Sequence, residues 1–134
     1  MIVRKITSDD MPLINFWWSH HWGPRIPPVH PHMLSSDGYI AEAKGKRVAA
    51  AWYGKISNSK TALVEWLVRS PRSNREEAYK AFALIVKEIE NQAKEDGFKI
   101  LIALTHHKNI KKFFADVDYI GEDESLDSYS KILK

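Results

Sequence analysis

The chain has 134 residues, 28% of them charged and 44% hydrophobic, which fits one domain spanning 1–134 with a genuine core and excludes collagen-like, disordered and coiled-coil classes. Lys and Arg number 20 against 17 Asp and Glu, so the surface is mildly basic at a pI of about 9.1 and suits an anionic ligand better than a nucleic acid. The absence of cysteine excludes disulfides, thiolate zinc sites and thiol nucleophiles, and apolar runs too short for a bilayer lead us to expect a soluble, cytoplasmic protein with no membrane partner.

Ile2 to Ile6 reads as a short strand, followed by Thr7-Ser8-Asp9-Asp10, a group of possible N-caps whose acidic side chains suit a helix dipole. Pro12 fits the first turn of the next helix. Met11, Ile14, Trp17 and Trp18 recur at helical spacing, and Gly23-Pro24 ends the pattern. After a proline- and histidine-bearing loop, Tyr39 to Ala43, Val48 to Ile56 and Thr61 to Val68 form three strands. The turns Lys44-Gly45-Lys46 and Ser57-Asn58-Ser59-Lys60 join them in an antiparallel meander. Asn74 caps a long helix with Ala78, Phe82, Ile85 or Val86, Ile89 and Ala93 on one face, and Gly97 closes it. Phe98 to Thr105 is a nearly continuous apolar run, predicting a central strand buried on both faces and parallel to the strand before the helix. Asn109 to Val117 predicts a short helix. Tyr119 to Gly121 with Tyr129 to Leu133 predicts a hairpin around the acidic turn Glu122 to Asp127. The order β-α-(loop)-β-β-β-α-β-α-β-β is that of an α/β or α+β sandwich.

Val68-Arg69-Ser70-Pro71-Arg72-Ser73-Asn74-Arg75 places three guanidinium groups and two hydroxyls immediately before the N-terminus of the long helix. Unpaired N–H groups and arginine forks at such a place make an anion site. The alternative is a solvated loop whose arginines pair with Glu76 and Glu77.

The element order, together with Ala62-Leu63-Val64-Glu65-Trp66-Leu67-Val68, Arg69-Ser70-Pro71, Asn74-Arg75-Glu76-Glu77-Ala78 and Ala93-Lys94-Glu95-Asp96-Gly97-Phe98-Lys99, resembles the GCN5-related N-acetyltransferases (GNAT family) over nearly the whole chain. The resemblance extends to the small GNAT proteins of phage and bacterial genomes. It implies a mixed sheet with an antiparallel meander and flanking helices, acetyl-CoA as acyl donor, and direct N-acetylation of an amine on a small molecule or protein. The central parallel pair would be splayed, with a wedge between Thr61 to Val68 and Ile100 to Thr105 filled by the pantetheine arm. Leu67, Val68, Arg69, Arg72, Ser73, Asn74, Arg75 and Asn109 would hold the cofactor, the pyrophosphate resting on the N–H groups of Arg72 to Arg75. The N–H of Val68 or Arg69 would donate to the thioester carbonyl. The family's loop glycines have no counterpart between Arg72 and Ala78, and Phe114 stands where a tyrosine general acid is often found. Those two departures motivate an alternative: a catalytically degenerate binding or inhibitory protein on the same fold.

Glu65 lies mid-strand, and a carboxylate near the wedge can accept a proton from an attacking ammonium, the general-base role the family often gives this strand. The alternative is a solvated face and a lysine across the strand. His20, His21, His30 and His32 invite a zinc hypothesis, but no acidic or thiolate partner accompanies them at a recognisable spacing, so no metal is expected. With Trp17, Trp18 and Trp22, the pair His21 and His30 instead suits an acceptor-substrate wall, although Trp17 and Trp18 also serve a core. His106-His107 ends the buried strand, where ligands gather in α/β sheets, and equally reads as a helix cap. A homodimer is compatible with all of this.

Overall fold

In the computed structural model, residues 1–23, 33–104, 108–123 and 128–133 are described. The strands are β1 (Ile2–Lys5), β2 (Asp37–Ala43), β3 (Lys46–Lys55), β4 (Thr61–Arg69), β5 (Ile100–Leu104), β6 (Ile120–Asp123) and β7 (Ser128–Ile132). The helices are α1 (Met11–Trp22), α2 (Arg75–Glu95) and α3 (Lys108–Asp116), with a short 3-10 turn over Ser8–Asp10. The strands make a seven-stranded mixed sheet in the order β1-β2-β3-β4-β5-β7-β6. β4 and β5 are parallel, as a strand–helix–strand crossover requires. The expected order of elements is therefore found. The hairpin adds one feature: its second strand, β7, lies against β5, and β6 takes the edge.

The chain separates into two compact units, Met1–Trp52 with Trp66–Ile85, and Tyr53–Glu65 with Val86–Lys134. In the first, Ile14, Trp17 and Trp18 of α1 pack with Ile40, Ala50, Trp52 and Val68, all nearly free of solvent contact. Trp18 lies 5.4 Å from Trp52 and edge-on to Trp66 at 6.5 Å, geometries that add to area burial. The β2–β3 turn has Lys44 at φ +52° and Gly45 at φ +77°, the left-handed pair that a two-residue hairpin needs.

Asp10 does more than the N-cap role its sequence position suggests. Its buried carboxylate receives both Nη atoms of Arg4 at 2.8 Å, Nη1 of Arg47 at 3.1 Å and the N–H of Thr7 at 2.8 Å. Arg4 also donates to Glu42 at 2.7 Å and 2.9 Å. One carboxylate thus ties β1, the turn before α1 and the start of β3.

In the second unit, α2 ends as its sequence predicts. Gly97 takes φ +88°, and the Gly97 and Phe98 N–H groups return to the carbonyls of Lys94 and Ala93. The next apolar run is shorter than expected and differently buried. Phe98 belongs to the helix-closing turn, and Lys99 and Ile100 both donate to the carbonyl of Lys60. Thr105 lies outside the described residues. Within β5, Leu101 and Ala103 are fully buried while Ile100 is exposed and Ile102 half-buried, so one face is covered rather than two. The covered face bears the pairs Ala62↔Leu101 and Val64↔Ala103, and on β7 Lys131, whose Nζ reaches the buried Glu90 of α2 at 3.0 Å.

The two guanidinium partners, Arg4 above all, and the Thr7 N–H hold the Asp10 carboxyl well below the usual carboxylate range, against burial, which acts to raise it. A depressed carboxyl pKa stabilises the fold fully above the unfolded value of about 4 and loses that contribution as the pH falls toward the folded value. Asp10→Ala should therefore cost about 3 kcal/mol at neutral pH in urea unfolding, at the low end for a broken buried pair because both arginines keep some solvent contact. It should also flatten the dependence of stability on pH below about 4.

Candidate functional site

β4 supplies the candidate site. Among the described residues its register with β5 covers Thr61↔Ile100 to Val64↔Ala103, and β4 continues to Arg69. Two residues past the last pair, Trp66 adopts φ +58°. A bulky aromatic in the left-handed region is unfavourable by about 1–2 kcal/mol, so packing must hold it, and its ring sits against the Trp18 cluster. Alternate burial at Ala62 and Val64 gives way to consecutive burial at Leu67 and Val68, the interruption expected of a bulge.

Beyond Val68 the chain turns into a loop pinned almost atom by atom, all within the first unit. The Ser70 N–H donates to the Val48 carbonyl at 2.8 Å. Ser70 also accepts from Ser73, from its hydroxyl at 2.7 Å and its N–H at 3.1 Å on the carbonyl, and from the Arg72 N–H at 3.2 Å on Oγ. Nη1 of Arg69 donates to the Ser73 carbonyl at 2.8 Å. His21, in the last turn of α1, holds its Nε2 2.9 Å from the Arg69 carbonyl, a contact that needs the ring proton on Nε2. Because the Ser70 N–H faces β3, strand alternation turns the Arg69 N–H to the other side of β4.

Asn74 caps α2 as expected, its Oδ1 accepting from the Glu77 N–H at 2.8 Å. Since the N–H groups of Arg72 and Ser73 donate to Ser70, the donors left at this helix end begin at Asn74, two residues later than the sequence suggests. Among the described residues, the N–H groups of Asn74 and Glu76 carry no hydrogen bond. The alternative of arginines paired with Glu76 and Glu77 is not what forms. Glu76 pairs with Lys80 at 3.2 Å, and the exposed Arg72 guanidinium has no partner among the described residues.

Glu65 belongs to the second unit's share of β4. Its side chain is half-buried, has no hydrogen bond or ion pair among the described residues, and burial pushes its carboxyl up from the usual range. The paired, solvated alternative therefore does not form. The carboxylate lies over Gly54 of β3: a Cβ built there would meet Oε1 at 2.7 Å and the carboxyl carbon at 3.2 Å. Gly54 and Ser70 are the positions the sequence reading missed. A glycine inside a strand is a signal for close approach, and Ser70-x-x-Ser73 is a signal for a serine-braced turn.

Phe114 is fully buried between Phe113 and Tyr119, at 5.1 Å and 5.0 Å between ring centres. Tyr119 carries a buried hydroxyl with no partner among the described residues, and burial, reinforced by Glu90, pushes it well above the ordinary phenol value, so it is no substitute proton donor. Trp22 closes α1 and Asn109 lies in the first turn of α3. His30, His32, His106 and His107 lie outside the described residues. Among the described residues no three His, Asp or Glu side chains are grouped to hold a metal ion, and no helix is long and apolar enough to cross a membrane.

No family model and no curated protein matches the sequence. Solved structures do. The aminoglycoside 6'-N-acetyltransferase of Enterococcus faecium aligns at TM-score 0.80 and 11% identity over 100% of this chain and 98% of its own. The ribosomal-protein-alanine N-acetyltransferase of Brucella melitensis aligns at 0.69 and 14% over 99% and 100%. The N-acetylglutamate synthase of Neisseria gonorrhoeae, complexed with coenzyme A and N-acetyl-glutamate, aligns at 0.73 and 17% over 99% of this chain and 35% of its own. This chain spans about a third of that synthase. At these identities the likeness is one of fold.

Gly54→Ala tests the seat of Glu65. The clash is with the end of a flexible side chain, so urea unfolding should change by less than about 1 kcal/mol. The carboxylate must move outward, and its pKa, followed by NMR titration, should fall back toward the ordinary 4.5.

Proposed function

We propose that this chain, which has the fold of the GCN5-related N-acetyltransferases, is an acetyl-CoA-dependent N-acetyltransferase that acts on an amine by direct transfer. The observation that carries the reading is β4 itself. Its described register with β5 runs to Val64; the strand then turns at Trp66 and delivers a braced, arginine-bearing loop to the N-terminus of a 21-residue helix. The residues suit a nucleotide diphosphate with an amide-bearing arm: main chain on the side of β4 turned away from β3, then N–H donors and guanidinium groups at a helix end.

Leu67, Val68 and Arg69 would hold the pantetheine arm along the strand. Arg72, Asn74 and Arg75 would hold the phosphates, with Ser73 keeping the loop in shape through Ser70, and Asn109 lies at the start of the following helix. Acetyl-CoA, when bound, supplies an activated acetyl thioester. Of the two main-chain donors considered for its carbonyl oxygen, the Arg69 N–H has the direction that strand alternation favours. Glu65, desolvated and without a partner among the described residues, takes the proton of the acceptor ammonium. Phe114 has no proton to give, so the departing thiol is assigned its proton from water. Trp22, His21 and His30 belong to the acceptor side in this reading, His21 also bracing the loop through Arg69. One acyltransferase domain over 1–134 and a cytoplasmic setting are part of the same proposal. A second reading, a binding or inhibitory protein on this fold, is favoured by the core-buried Phe114 and the glycine-free loop.

Coenzyme A at a hundred times its Kd should add about 2.7 kcal/mol of stability, seen as a rise in Tm, and Arg72→Glu with Arg75→Glu should abolish it. No rise at millimolar coenzyme A contradicts the enzyme reading and favours the second. Glu65→Gln should lower turnover at least about a hundredfold with coenzyme A binding unchanged, and remove an acidic limb of the pH–rate profile lying above 4.5. A raised carboxyl pKa contributes stability below the unfolded value and loses it as pH rises through the folded one. At neutral pH the ionised Glu65 is therefore a cost to the fold, and Glu65→Gln should raise Tm while it lowers turnover.

A further inference from the structure

The second unit carries an apolar sheet face that the acyltransfer reading does not explain. Parallel register sets Leu63 beside Ile102 and Thr61 beside Ile100, and antiparallel register sets Ile100 opposite Ile132. The residues between them, Ala62, Val64, Leu101 and Ala103, are buried, and Lys131 reaches Glu90 of α2. By the two-residue alternation of strands, Leu63, Ile100, Ile102 and Ile132 share the opposite face. Ile132 is 70% exposed and Ile100 36%, an adjacent apolar pair where polar residues would be expected. Glu65, two residues beyond Leu63, belongs to the same face, as its seat on Gly54 beside the Leu63 Cβ confirms.

We propose that this face, with Glu65 at one end, binds a primary ammonium carried on an uncharged apolar body, and that it rejects anionic acceptors. The inference rests on the acyltransfer reading and names its acceptor class. Charge complementarity decides the occupant. The half-buried Glu65 carboxylate has no cation against it among the described residues, so a ligand ammonium supplies the missing partner. Beside it Leu63 and Ile102, paired in the β4–β5 register, offer aliphatic carbon, which rewards an apolar body.

The nearby lysines are committed elsewhere or lie in turns. Lys55 pairs with Asp96 at 3.4 Å, Lys131 with Glu90, and Lys60 and Lys99 precede β4 and β5. The same register places Thr61, Ser130 and Ser128 on this face, but among the described residues no cation stands there for a second carboxylate. An amino dicarboxylate would leave its own charges unpaired there.

The test uses the full chain without acyl donor. Binding of n-butyl-, n-pentyl- and n-hexylammonium, with hexanoate and glutamate as controls, is followed by NMR chemical-shift titration. We expect affinity to rise about threefold per methylene and hexanoate and glutamate not to bind. Glu65→Gln should weaken hexylammonium about tenfold, and Leu63→Ala, two residues from Glu65 on the same face and only half-buried, should reduce the gain per methylene. A flat chain-length series, or glutamate binding as tightly as hexylammonium, overturns the proposal. Alkylammonium binding in a chain that ignores coenzyme A would leave this inference standing and reject the enzyme reading. Coenzyme A binding with a flat amine series would do the reverse.

Discussion

The structure turns on one backbone conformation. Trp66 sits inside a nine-residue strand at φ +58°, where an L-residue of its size is unfavourable, and its ring is held against Trp18 in the core of the first unit. Among the described residues the register with β5 runs to Val64, and β4 itself continues through Leu67 to Arg69. Strain held in place by packing is characteristic of positions where function is worth more than local stability.

Past the end of β4, the loop into α2 has its shape settled before any ligand arrives. Ser70 receives three hydrogen bonds from Arg72 and Ser73, Arg69 spans the turn, and His21 and Val48 fix the two ends of the Arg69–Ser70 peptide. Preorganisation of this kind reduces the ordering cost of binding. Two serines fold the turn back on itself, and among the described residues the open donors begin at Asn74.

Most of the fold was legible because its signals are local. The periodicity of α2, its Asn74 cap and Gly97 stop, the Lys44-Gly45 turn and the order of strands all depend on residues within a few positions of one another. The features that escaped the sequence depend on partners far along the chain. Asp10 reads as a cap until Arg47 is seen beside it, 37 residues away. The run from Phe98 looks like a strand buried on both faces because hydrophobicity alone does not say that α2 covers only one. Gly54 looks unremarkable until Glu65 is found lying across it. In the candidate site, the arginine-rich loop and Glu65 could be singled out as chemistry-bearing residues, but which N–H groups remain open is decided by a serine brace that no residue count reveals.

Amide hydrogen exchange at Leu67 and Arg69, measured by NMR with and without coenzyme A, tests the central claim most directly. If β4 leaves its ladder at Trp66 to receive a ligand along its main chain, at least one of these amides exchanges quickly in the free protein and becomes protected when coenzyme A is added. Slow exchange at both in the free protein, unchanged by coenzyme A, would contradict it.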